Sequence, residues 1–178
     1  KQDYVFLINY CKVLALAASK SPSENIMKRW VSLLNETLNS EMDLHRNFCK
    51  DFGISISNLE KTIADTSTKN YCDFLIENAN QNSEKFIAVS LLPCQWGYQE
   101  IAQNFLKNKF ETDSFHKIWI DSYSSQEYQD VTNWLINHVD EIGKNSNNKE
   151  VEKYKQLFRS GIEYEIGFWD SAWNFSNK

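Results

Sequence analysis

The chain has 178 residues, only five glycines and two prolines, and a formal net charge of −5. That length suits one domain with a real core, and so few turn formers leave little room for an all-β fold. The acid excess lacks the basic stripe of a nucleic-acid binder, no apolar run reaches the length of a membrane span, and no charged-then-apolar leader opens the chain.

The four cysteines, Cys11, Cys49, Cys72 and Cys94, show no CxxC or metal-ligand spacing. They read as reduced thiols of a cytoplasmic protein. In chain order, a helix over 3–19 is apolar almost all round, with Val5, Leu7, Ile8, Val13, Leu14 and Leu16, which places it centrally. Lys1 and Gln2 supply no N-cap, so this helix is expected to continue upstream. Ser21-Pro22-Ser23-Glu24 is a stop and restart: Ser21 caps, Pro22 takes the first turn and Glu24 falls at the capping-box position. The next helix is expected to run unbroken over 23–52, roughly 45 Å long. Ile26, Trp30, Leu33, Leu34, Leu38, Met42, Leu44 and Phe48 recur along it at helical spacing, and Gly53 marks its end.

Ser57-Asn58-Leu59-Glu60 is a capping box for a short helix to Ala64. Asp65 to Thr68 reads as a turn, 71–80 as helix, and Asn80-Gln81-Asn82 as a break. Ser83 caps a helix over 83–107. Phe86 to Leu92 alone would pass for a buried strand, but Ile101, Ala102 and Phe105 continue a helical period. A loop over 108–114 follows, then an aromatic helix over 115–123. Ser124-Ser125-Gln126-Glu127 opens another helix, to Ile142. A polar loop over 143–148 and a last helix over 149–173 complete an all-α, single-domain chain of about six to eight helices.

Pro93 breaks the rules of its helix. It removes one backbone hydrogen bond and pushes the Val89 carbonyl out of the ladder, at a cost of about 3 kcal/mol. Cys94 follows directly, and Tyr98 lies one turn on, on the same face. A thiol there is either a small buried hydrophobe or a nucleophile built on the kink. In the last helix Glu165 is in phase with Ile162 and Trp169, whereas Glu163 reads as a surface charge. A carboxylate facing a core has a raised pKa and suits acid–base work. Asp3, at the start of an apolar helix, is either a solvated first-turn acid favoured by the helix dipole or a ligand contact. Glu41 and His45 form an i, i+4 pair with Glu36 nearby. Di-metal bundles use a different spacing, and the other histidines, His116 and His138, complete no ligand set. A packing hydrogen bond between Glu41 and His45 fits better. Serine-hydrolase, phosphate-loop and dinucleotide motifs are absent.

Four stretches then occur in register. They are Gln2-Asp3-Tyr4; Leu92-Pro93-Cys94-Gln95-Trp96-Gly97-Tyr98; Trp119-Ile120-Asp121-Ser122-Tyr123-Ser124-Ser125 with Glu127-Tyr128; and Tyr164-Glu165-Ile166-Gly167-Phe168-Trp169-Asp170. Together, across essentially the whole chain, they resemble the thiaminase II (TenA) family, in its cysteine-containing branch. The resemblance implies a heme-oxygenase-like helical bundle, usually a homotetramer, that needs no metal or organic cofactor. The implied activity is hydrolysis of aminopyrimidines from thiamin breakdown to hydroxymethylpyrimidine for salvage, with weaker cleavage of thiamin itself. It implies Cys94 as nucleophile, Glu165 as acid and base, and Asp3 as the carboxylate that holds the ring. It also implies Tyr71, Tyr98 and Tyr123 as hydrogen-bonding tyrosines and Phe168 as a pocket wall. Phe6 stands where relatives often carry tyrosine, which leaves it stacking alone, and Tyr71 is placed by its position between the other matches.

The resemblance further implies a helical segment before Asp3, and a partner or further segment to cover the apolar surface its loss would bare. Cys94, Glu165 and Asp3 are expected to converge on one cavity that Cys11, Cys49 and Cys72 need not line. Two other readings stay open. One is a metal-dependent oxidase on the same scaffold, resting on Glu41 and His45. The other is an aminopyrimidine-binding protein without turnover, against which the intact Cys94 and Glu165 speak.

Overall fold

The computed structural model describes residues 1–108 and 113–176. They form nine α-helices and one π segment, with no strand among the described residues. The expected loop over 108–114 falls mostly on 109–112, outside the described residues; Asn108 closes one helix and Asp113 caps the next. Two compact units divide the chain: Lys1–Ile87 with Glu163–Lys178, and Ala88–Ile162.

The first unit is built on α1 (Gln2–Ser19), which buries Tyr4, Phe6, Leu7, Tyr10, Cys11, Val13, Leu14, Ala17 and Ala18. Helices α2 (Glu24–Glu36) and α5 (Thr66–Gln81) pack on it. Lys1 stands at its N-cap without a side-chain hydrogen bond, as the sequence suggested. Just past its other end, the Lys20 ammonium donates to the carbonyls of Ala79 at 2.5 Å, Asn80 at 3.0 Å and Asn82 at 2.8 Å. One side chain thereby spends all three of its donors on the backbone around the end of α5, where helix carbonyls lack partners. Trp30 is fully buried, and its indole N–H donates to Glu84 Oε1 at 2.8 Å, which satisfies a buried carboxylate.

Several boundaries differ from expectation. Ser23, not Ser21, caps α2, accepting from the Ile26 amide; Ser21 turns back and donates to the Ala17 carbonyl. Ser55, not Ser57, caps α4 (Ile56–Glu60). Serines two apart offer alternative caps, and the tertiary path of the chain chooses between them. The expected turn at 65–68 is instead the start of α5, with Asp65 as N-cap accepting from the Thr68 amide at 2.7 Å. The expected single helix over 23–52 is interrupted by the π segment Thr37–Glu41 before α3 (Met42–Asp51). That division supplies the ninth helix. Gly53 does end α3, with φ of 73°; the Gly53 amide bonds the Lys50 carbonyl and the Ile54 amide the Cys49 carbonyl. Those two bonds form a Schellman cap, for which only glycine takes the left-handed turn without strain.

The second unit holds most of α6 (Glu84–Asn108), α7 (Ser114–Tyr123), α8 (Gln126–Lys144) and the first part of α9 (Asn148–Ser176). The Ser125 hydroxyl caps α8, and Asn147 and Glu150 form a reciprocal capping box at the start of α9. Helix α8 continues through Gly143 to Lys144, two residues past its expected end. Helix α6 continues through Pro93, and α9 crosses the proline at Gly161. A Cβ built on Gly161 would lie 2.7 Å from Pro93 Cγ and 3.3 Å from Pro93 Cβ. Ring carbons cannot rotate out of the way, so this close approach requires glycine. Gly161→Ala is expected to cost about 1–3 kcal/mol in urea unfolding, because overpacking outweighs the roughly 1 kcal/mol helix-propensity gain. Gly167→Ala, whose added carbon would meet Ser67 Oγ at an ordinary 3.6 Å, is the control and should not lose stability. Equal effects of the two changes would refute the packing argument.

Candidate active site

Glu165 and Tyr71 form the centre of the first unit's cluster. Tyr71 is buried, and its hydroxyl donates to Glu165 Oε1 at 2.6 Å, the short distance of a bond to a carboxylate. Phe6 lies 4.8 Å from Tyr71 and 5.7 Å from Phe168, ring centre to ring centre. Tyr164 stacks on Tyr71 at 5.6 Å, with ring planes 4° apart, and is itself packed by Phe74 at 4.7 Å. Four of the residues singled out from the sequence, Phe6, Tyr71, Glu165 and Phe168, are therefore in one aromatic cluster.

The register of α9 against α5 is set on either side of Phe168. The Ser67 hydroxyl donates to the Gly167 carbonyl at 2.9 Å, and the Ser171 hydroxyl to Asp65 Oδ2 at 2.8 Å. Burial pushes the Asp65 carboxyl up, but the Thr68 amide and the Ser171 hydroxyl outweigh it and hold the group below its usual range. Glu163 is exposed and Glu165 half-buried, as expected. The inward stripe of α9 is not the one expected from Ile162 and Trp169, however. Ile162 and Trp169 are exposed, and the stripe that turns inward is Tyr164, Glu165 and Phe168.

Asp3 lies on α1, three residues before Phe6 and so on the same side of that helix. Its Oδ2 is 3.1 Å from His45 Nε2. The contact has ion-pair distance without the alignment of a hydrogen bond, since Nε2 is buried and makes none. His45 thus meets Asp3 on a different helix, which replaces the expected Glu41–His45 pair. Among the described residues, no three His, Cys, Asp or Glu side chains come together as metal donors.

In the second unit, Cys94 packs against a buried cluster of Tyr98, Ala102, Ile120 and Tyr123, together with Trp119 and Tyr128. Tyr123 has its ring centre 5.0 Å from Tyr98, 4.7 Å from Trp119 and 5.0 Å from Tyr128. The Tyr128 hydroxyl donates to the Gln95 carbonyl at 3.1 Å, and the buried Gln95 amide donates to Thr132 Oγ1 at 3.1 Å. These bonds fix α6 to α8 at the residue beside Cys94. Cys94 is the one cysteine that is not buried. Burial pushes the Cys11 and Cys72 thiols up from about 9.0 to about 11, with the Glu41 charge adding to it at Cys11. Those two stay protonated at neutral pH and are poor nucleophiles.

A separate cavity of about 370 Å³ opens in the same unit, lined by Val89, Leu92, Val139, Tyr154, Phe158 and Arg159 among others. Val89 and Leu92 lie five and two residues before Cys94, so they project from the opposite side of α6. That cavity is not the surroundings of the thiol.

The sequence reasoning missed the stacking role of Tyr164 and the partner of His45. Trp119, Tyr128 and Tyr164 stand within the four matching stretches, where their residue types alone assign them no role. The signal was present as aromatic residues beside each chosen polar one. For His45 no local signal existed, because its partner belongs to another helix.

The sequence matches the TENA/THI-4/PQQC family over residues 1–175. The aminopyrimidine aminohydrolase of Helicobacter pylori is 35% identical over 174 residues, covering 97% of this chain and 80% of that protein. The aminopyrimidine aminohydrolase of Halalkalibacterium halodurans is 35% identical over 175 residues, covering 98% and 78%. Among solved structures, a TenA family transcription regulator from Silicibacter sp. TM1040 superposes with a TM-score of 0.87 at 29% identity, covering 96% of this chain and 77% of that one.

Proposed function

The chain belongs to the TENA/THI-4/PQQC family, and on that premise we propose how its side chains carry out the family's hydrolysis. The activity is that of an aminopyrimidine aminohydrolase of thiamin salvage, a hydrolase of C–N bonds. The observation that carries the reading is the Glu165 carboxylate, gripped by the buried Tyr71 hydroxyl at 2.6 Å within an aromatic cluster. A flat heteroaromatic substrate calls for aromatic walls, and an amine leaving group calls for a positioned proton donor.

The substrate carries its amine on a methylene attached to the pyrimidine. Direct displacement there is poor. The Cys94 thiolate adds to a ring carbon, which makes the ring electron-rich enough to expel the amine. Glu165 gives its proton to that amine as the C–N bond breaks. Water then adds to the exposed methylene while Glu165 takes a proton back. Finally the thiolate leaves and the ring regains its aromaticity. One C–N bond is broken, one C–O bond is formed, and one water is consumed. In this scheme Asp3 holds the ring's amino edge, and Phe6 and Phe168 supply stacking surfaces. Tyr71 orients Glu165, and Tyr98 and Tyr123 hydrogen-bond the substrate beside the thiol.

Incubation with an aminomethylpyrimidine should release ammonia and hydroxymethylpyrimidine in equal amounts. Binding without ammonia would favour the non-catalytic reading. Stoichiometric iron or manganese in the purified protein, with oxygen uptake, would favour the oxidase.

The same reading takes the protein to be a cytoplasmic homo-oligomer, on the family's pattern a tetramer. Ile166, Trp169 and Trp173, exposed by 56%, 42% and 72% on one side of α9, support a covered face. Among the described residues, no helix is long and apolar enough to cross a membrane.

A further inference from the structure

We infer that His45 is the positioning residue for Asp3, fixing the rotation of its carboxylate so that the free oxygen meets the amino edge of the pyrimidine. The inference rests on Asp3 being the group that holds the ring. Two observations carry it. First, His45 Nε2 lies 3.1 Å from Asp3 Oδ2, and its side chain is only 12% exposed. Nε2 is buried and lacks an aligned hydrogen bond. A buried ring nitrogen left so close to a carboxylate demands an explanation. Hydrogen bonds at reaction sites are often loose in the free protein and align once the substrate is bound. A pyrimidine drawing on Oδ1 would turn the carboxylate and bring Oδ2 onto the imidazole N–H.

Second, a π segment shifts the phase of the helix that carries His45. The π segment Thr37–Glu41 stands directly before α3, which carries His45 near its start. A π turn holds one residue more than an α turn, and such segments are frequent at functional sites because they cost stability. The extra residue rotates everything after it by about 100° relative to α2. An unbroken helix with the phase of α2 would aim position 45 elsewhere. The edge of the His45 ring also meets Phe48, at 6.5 Å and 80°, which limits its swing.

The test is a double-mutant cycle, read by calorimetric binding of hydroxymethylpyrimidine and by turnover of aminomethylpyrimidine. His45→Leu should weaken binding about tenfold or more, the usual loss for a hydrogen bond to a charged group. KM should rise in step, with kcat at saturation changing less than about threefold, because only ring binding is lost. His45→Gln, whose amide N–H reaches nearly as far as Nε2, should restore affinity to within about threefold. Asp3→Asn alone should also lose binding, and the double variant Asp3→Asn/His45→Leu should bind no worse than Asp3→Asn. Parent-like binding by His45→Leu, or losses that add in the double variant, overturns the inference. Normal binding by Asp3→Asn overturns the ring-holding assignment itself, whatever His45 does. Thermal unfolding of each variant accompanies the binding data. Should leucine at 45 prevent folding, His45→Asn, too short to reach Oδ2, takes its place with the same expected loss.

Discussion

Cys94→Ser is expected to lower the rate of ammonia release by at least about 10³-fold, the scale of losses when a nucleophile is removed. Serine keeps the shape, so product binding should stay within about threefold of the parent. Cys11, Cys49 and Cys72 are buried, and burial holds Cys11 and Cys72 near 11, where the thiolate is scarce at neutral pH. Cys94 alone is partly open, on a turn fixed by the Tyr128–Gln95 and Gln95–Thr132 hydrogen bonds. A serine hydroxyl at that spot is far too weak an acid to form the nucleophilic anion without an adjacent base. Ammonia release by coupled assay and product affinity by calorimetry separate the two quantities. A serine variant that turns over at the parent rate would remove Cys94 from the mechanism while leaving the fold assignment intact.

Glu165→Gln is the second large effect. The glutamine carbonyl still accepts from the Tyr71 hydroxyl, so the cluster of Phe6, Tyr71, Tyr164 and Phe168 should be undisturbed. The lost property is the carboxyl group's ability to give and take a proton. Turnover of aminomethylpyrimidine should fall by about 10² to 10⁴, the usual share of a general acid–base group. The size of the loss should depend on the leaving group. An amine must be protonated to depart well, whereas the thiazolium of thiamin departs as a neutral ring and needs no proton. Side-by-side rates on the two substrates should therefore show a smaller loss for thiamin, which needs Glu165 only at the water step. Equal losses would assign Glu165 to water activation and take leaving-group protonation away from it.

How far the sequence foretold these arrangements varies by feature. Long amphipathic stretches and glycine at position 53 located most helices, because burial period and left-handed backbone are written in residue types. Caps were misplaced where two serines two residues apart competed, at Ser21 and Ser23 and at Ser55 and Ser57. The π segment was invisible: Thr37-Leu38-Asn39-Ser40-Glu41 contains no glycine or proline to mark a wide turn. Glu165 was preferred to Glu163 for a mistaken reason, since Ile162 and Trp169 turned out to be exposed. Its partner Tyr71 was placed by the family resemblance, not by chemistry legible in its neighbours. The Asp3–His45 contact joins two helices that are distant in sequence, and no local pattern encodes such a pair.

The contact between Pro93 and Gly161 also constrains which sequences can descend from this one. A bare glycine is wanted at 161 because a ring stands opposite, so position 161 is not free to drift while the proline remains. A lineage that first lost the proline would relax the demand at 161, and a side chain could then settle there. One that first lost the glycine would suffer the clash at once. Change at this crossing is therefore ordered in time, with the proline departing first, and the residue next to Cys94 inherits the history of a helix that does not carry the thiol.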